Sequence, residues 1–177
     1  MTALRRPGDR RASALRRLYA QRFGELSLPV PVDEIAGDLL GLWVTERADL
    51  ECSGMLVPAR REIWLNARET RQSPGRRRFT LAHEIGHWIC HCRRAAHAEI
   101  LCRSADMEAP ADPIEREANV FAADLLMPDD AVREAHAAGT PAADIAALMG
   151  VSLAAMEWRL YNLSLIDDIP ASTTGAT

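Results

Sequence analysis

Lysine is absent from this chain: all 21 basic residues are arginine, a bias of composition that points to no particular function. Aromatic residues are scarce at 5%, which argues against a platform of stacked rings for single-stranded nucleic acid. No apolar run approaches the ~20 residues that a membrane-spanning helix requires. Residues 1–23 carry arginines but neither an apolar core nor a small-residue cleavage site, so no secretory signal is read there. A cytoplasmic location is the expectation, and with it Cys52, Cys90, Cys92 and Cys102 as reduced thiols rather than two disulfides.

What is present suits one domain of ordinary size. The 177 residues are 48% hydrophobic and 26% charged, a balance that allows a core without staples. The formal net charge of -4 conceals a division along the chain. Residues 1–94 hold 17 arginines against 11 acids, and residues 95–177 hold 4 against 14. The arginine-rich half reads as solvated helix faces rather than as a nucleic-acid surface.

Ala12, Leu15, Leu18, Tyr19 and Phe23 recur at three- and four-residue steps, which predicts an amphipathic helix over 9–23 with Arg16, Arg17 and Arg22 outside. A short helix follows at 33–39, stopped by Gly41. Extended runs at 42–46, 54–57 and 62–66, the last two joined by a hairpin connection at 58–61, predict a small antiparallel sheet. Ser73 and Pro74 form a cap and first-turn pair, and Phe79, Ala82, Ile85, Gly86 and Ile89 then mark the stripe of a central helix over 74–93. Residues 94–112 read as a surface excursion. A strong helix spans 114–127, ended by Pro128, and three shorter ones fit 130–137, 141–149 and 153–163. The fold class is α+β, divided as a basic helix (1–24), a main domain (25–130), a helical subdomain (131–166) and a frayed tail (167–177).

Chemistry is concentrated in His83-Glu84-Ile85-Gly86-His87. Two histidines four residues apart on a helix lie ~6 Å apart along its axis and ~40° apart around it, so both imidazoles can reach one ion. Glu84, one residue on from the first, can lean over the open coordination position, where a water on zinc has its pKa lowered toward ~7 and needs a base. A catalytic zinc needs a third protein ligand. The extended metzincin pattern requires glycine at 90 and histidine at 93, where this chain has Cys90 and Arg93. A carboxylate from a second helix is the alternative, and the helix at 114–127 offers Glu115 and Glu117. Glu115 is preferred, because it shares the inward face with Ala118, Asn119 and Ala122, and Asn119 can hydrogen-bond the outer atoms of a ligand. The other glutamate is left to favour the helix dipole.

The run Arg78-Phe79-Thr80-Leu81-Ala82-His83-Glu84-Ile85-Gly86-His87, followed by Glu115-x-Glu117-Ala118-Asn119-x-Phe121-Ala122-Ala123-x-Leu125-Leu126-Met127-Pro128, resembles the ImmA/IrrE family of metallo-endopeptidases. The likeness covers about residues 25–165. It implies a zincin-like fold, one Zn2+ held by His83, His87 and Glu115, and Glu84 as general base. It also implies a protein substrate, a helix-turn-helix repressor encoded nearby, cleaved in the cytoplasm under stress or during mobile-element induction.

Three weaker signals remain. His91 lies a turn beyond His87, ~80° around an ideal helix from His83, so a supporting or packing role is expected in place of ligation. Cys90, Cys92 and Cys102 lack the knuckle spacing of a structural zinc site and read as inert buried thiols. Residues 141–163 have the spacing of a helix-turn-helix, but residues 141–170 carry four acids against Arg159 alone, which opposes binding to phosphates. That segment is expected to pack on the zinc domain, with Arg159 in an ion pair. The rival to proteolysis is a zinc-stabilised partner that sequesters a repressor or toxin and cuts nothing.

Overall fold

The computed structural model describes residues 7–92, 101–103, 112–168 and 170, and at 7–9 and 101–103 the backbone alone. Most of the expected excursion and of the tail therefore lies outside the described residues. Helix α1 (Pro7–Phe23) is followed by a short α2 (Val32–Glu34) that continues as a π turn over Ile35–Leu39. Strands β1 (Trp43–Arg47), β2 (Gly54–Val57) and β3 (Glu62–Asn66) lead into α3 (Ala67–Gln72) and the central α4 (Pro74–His87), which widens into a π segment at Trp88–Cys92. Strand β4 (Leu101–Arg103) and helices α5 (Pro113–Leu126), α6 (Asp129–Ala137), α7 (Ala142–Met149) and α8 (Leu153–Asn162) complete the order. The class is α+β, as the sequence predicts, with a small sheet and a largely helical remainder.

Local chemistry sets the element boundaries. The Ser73 hydroxyl accepts from the Arg76 amide and Asp112 from the Ile114 amide, each with proline at the first helical position, where the missing N–H costs nothing. Asn66 ends β3 and caps α3, accepting from the Arg68 amide at 2.9 Å while its own amide donates to the Leu50 carbonyl at 2.8 Å. Gly150, at φ 65°, ends α7 in the left-handed region that glycine tolerates.

The sheet order is β1-β3-β2-β4. β2 runs antiparallel to both β3 and β4, but β1 runs parallel to β3, with Val44 opposite Ile63. The expectation of a purely antiparallel sheet is corrected on that point. β1 joins the far side of β3 rather than forming a hairpin with β2, so the chain crosses over between them.

Leu56, Ile63 and Leu65 are fully buried beneath α4. On its other side α4 meets α5, and every residue from Thr80 to His87 is buried, the condition of a helix enclosed all round. Two glycines set the spacing. A Cβ on Gly86 would stand 3.1 Å from Phe121 Cδ1 and 3.2 Å from the Ala118 Cα, and one on Gly54 would stand 2.5 Å from Thr80 Cγ2. α1 packs on α5 through Ala12, Leu15 and Tyr19. Leu18 and Phe23, expected inside, are exposed, and Arg16, expected outside, turns inward to donate to the Asp124 carbonyl.

The C-terminal helices dock as a unit on this core. Arg159 is buried on α8, pairs with Asp124 of α5 and donates to the Met127 carbonyl at 3.1 Å. The turn before α8 lies against the start of α4, where Arg78 donates to the Gly150 carbonyl at 3.2 Å and to Val30 at 2.7 Å. Cys52 is disulfide-bonded, which corrects the expectation of four reduced thiols; Cys90 and Cys92 form no disulfide. Spacing along the chain could not reveal that β2, which begins just after Cys52, pairs with the strand that holds Cys102. The side chain of Cys102 lies outside the described residues. Among those described, no helix is long and apolar enough to cross a membrane.

Candidate metal centre

α4 presents His83 and His87 one above the other with rings 4.6 Å apart, and their Nε2 atoms converge to 2.9 Å. α5 crosses at Gly86 and Ala118, the closest approach that two small residues permit, and this lays Glu115 over the pair. Its Oε2 is 3.1 Å from His83 Nε2 and its Oε1 3.1 Å from His87 Nε2. These donor atoms lie within 4.8 Å of one another and form a group that could hold a metal ion. The fit is chemical as well as geometric: two imidazole nitrogens and one carboxylate, both rings buried, are a donor set suited to zinc with a coordination position left open. The two histidines hold the Glu115 carboxyl well below the usual carboxylate range, the bond from His83 contributing most, so it is an anion turned toward both rings.

The outer atoms of the rings are also engaged. His83 Nδ1 lies 3.0 Å from Asn119 Oδ1. An amide oxygen only accepts, so Nδ1 carries the proton and Nε2 keeps its lone pair for an ion. His87 Nδ1 lies 3.1 Å from His91 Nδ1, and His91 Nε2 lies 3.2 Å from Glu117 Oε2. Glu117 in turn receives Arg11 of α1. Burial raises the Glu117 carboxyl, but its bonds to Arg11 and His91 outweigh this and leave it lowered.

His83, His87 and Glu115 are brought together, Asn119 stands behind His83, and Glu84 is wholly buried between them in sequence. Glu117 does more than favour a helix dipole, because it joins α5 to α1 and to His91. Arg11 was not singled out by sequence, since no local pattern links it to a residue 106 positions away. Cys90 and Cys92 on the π segment form no disulfide, and burial pushes the Cys92 thiol up.

No curated protein matches the chain. The family described as the IrrE N-terminal-like domain, Peptidase M78, matches residues 20–161, a span that includes both central helices and the C-terminal pair. On that match, and with two buried histidines and a partly exposed glutamate grouped so as to be able to take an ion, the chain belongs to the ImmA/IrrE family of metallopeptidases.

Proposed function

We propose that this protein is a zinc-dependent endopeptidase, with His83, His87 and Glu115 holding one Zn2+ and Glu84 as general base. The carrying observation is the convergence of His83 Nε2, His87 Nε2 and the two Glu115 oxygens from two helices onto one point. When bound there, the ion supplies a Lewis acid that makes water acidic enough to be a nucleophile near neutral pH. Glu84 takes the proton of the water that attacks the scissile carbonyl and returns it to the departing amine, so that one buried carboxylate serves both half-steps. Asn119 and the α4–α5 crossing keep the ligands in register.

The substrate we propose is a protein, a helix-turn-helix repressor encoded nearby, cleaved in a stress-response or mobile-element circuit. The chain's own helix-turn-helix-like pair does not bind DNA in this reading. Its turn is occupied by Arg78 at the start of α4, and Arg159 is committed to Asp124, which leaves a surface without the basic residues that phosphates need.

The test is metal analysis of the purified chain, followed by incubation of parent and Glu84→Gln with the product of the adjacent gene. We expect one zinc in each and fragments from the parent alone. A Glu84→Gln variant that cuts as fast as the parent would refute the mechanism. A stable complex without fragments from the metal-loaded parent would favour sequestration over proteolysis.

A further inference from the structure

We infer that His91, Glu117 and Arg11 form a positioning chain that fixes the tautomer and ring orientation of His87, which makes α1 part of the metal site. The inference rests on the reading of His87 as a ligand through Nε2. Its ground is the direction that each hydrogen bond must take.

Glu117 is joined to Arg11 and so stays an anion, able only to accept. His91 Nε2, at 3.2 Å from Glu117 Oε2, lies outside the group that could take an ion and so donates its proton to that anion. A neutral His91 then has a lone pair at Nδ1. That atom is 3.1 Å from His87 Nδ1, so the proton between them belongs to His87, which donates it. With its proton on Nδ1, His87 has a lone pair at Nε2, which an ion held together with His83 Nε2 and Glu115 would take. The chain does for His87 what Asn119 does for His83 at 3.0 Å. Two different devices thus leave both ligand nitrogens in one state.

The backbone is shaped for this contact. On a continuous α-helix His91 would stand about 40° around from His87, rotated further from the ligand row. The change to π winding at Trp88–Cys92 gives a wider turn with less rotation per residue, so that a four-residue step falls nearer to in line. The two rings consequently lie 5.2 Å apart with adjacent nitrogens facing. Trp88 caps α4 through its amide to the Glu84 and Ile85 carbonyls, so the wider turn begins with no break in bonding.

The experiment uses the full chain, with Zn2+ affinity from competition against a chromophoric chelator and the visible absorption of the Co2+-loaded protein as readouts. His91→Phe keeps a ring and removes both nitrogens; we expect affinity to fall about 10–100-fold and the cobalt bands to shift. His91→Asn places an amide oxygen near the position of Nδ1, can still accept from His87, and should recover most of that loss although it fills less space. Glu117→Ala should weaken binding in the same direction, and the double variant with His91→Phe should be no weaker than His91→Phe alone, because both act through one bond. Thermal melts of the metal-free variants separate misfolding from loss of a ligand. Parent affinity and parent spectrum in His91→Phe would overturn the inference, as would a His91→Asn variant as weak as His91→Phe. A parent chain that takes up no metal at all would instead overturn the reading of the site on which the inference rests.

Discussion

Substituting Gly54 with alanine tests how closely the sheet and the central helix are fitted. A Cβ there would meet Thr80 Cγ2 at 2.5 Å and Glu84 Oε1 at 2.8 Å, both well inside van der Waals contact. The strand cannot easily retreat, because Gly54 is paired with Leu65 on one side and Arg103 on the other. Thr80 is buried and β-branched within a helix, where its rotamer is restricted. Overpacking of this kind costs about 1–3 kcal/mol, against a gain of about 0.5–1 kcal/mol from replacing glycine in a strand, so a net destabilisation of about 1–2 kcal/mol is expected in urea. The second effect is on Glu84, whose carboxylate must swing away from the added methyl; a displacement near 1 Å can cost about 100-fold in rate. The two effects separate in the double variant Gly54→Ala with Thr80→Ala, which removes the methyl clash and leaves the carboxylate clash. Stability should return while cleavage of a quenched fluorescent peptide pool stays low, with zinc content unchanged. Full activity and parent stability in Gly54→Ala would refute the argument.

Gly86→Ala should be read in the metal and less in the melt. Helix propensity gains about 1 kcal/mol, which offsets much of the crowding at Phe121 and Ala118, but α5 must move and carry Glu115 with it, so zinc affinity should fall about tenfold or more; unchanged affinity would count against the crossing as the device that places Glu115. Asp124→Ala leaves Arg159, 8% exposed, without its carboxylate, and should cost about 3–5 kcal/mol by chemical denaturation, whereas Asp124→Leu with Arg159→Met should stay close to the parent. A loss under about 1 kcal/mol in the single variant would mean that the pair is not the clamp between α5 and α8.

How far the sequence could be read depended on the range of each signal. His83 and His87 share one helix, so spacing alone puts them on a face, and the preference for Glu115 over Glu117 rested on the inward stripe of Ala118 and Ala122, the side on which Glu115 meets the two rings. The fold class was legible for the same reason, because the patterns that define α4 and α5 are long. α3 was not read: Ala67–Gln72 is one polar turn and a half with no stripe, and it exists because Asn66 caps it. The parallel pairing of β1 with β3 depends on contacts between strands that no period within either strand encodes. The π winding at Trp88–Cys92 escaped too, and with it the true position of His91, since an ideal α-helix was the only ruler available. Arg11 belongs to the same class, settled by a partner far along the chain, and no local pattern marks Cys52 as bonded.

The packing of α1 on α5 changes the meaning of the uneven charge along the chain. The excess of arginine before residue 95 and of acids after it places opposite signs on segments that must find one another, and Arg11 meets Glu117 where they do. Unlike charges attract over about 10 Å at 0.1 M salt, farther than apolar side chains do. Such attraction would draw the early and late parts of the polypeptide together before their apolar faces touch. Refolding should accordingly slow as ionic strength rises, even though the contacts that hold the finished core, Leu15, Phe121 and Leu125 among them, are indifferent to screening.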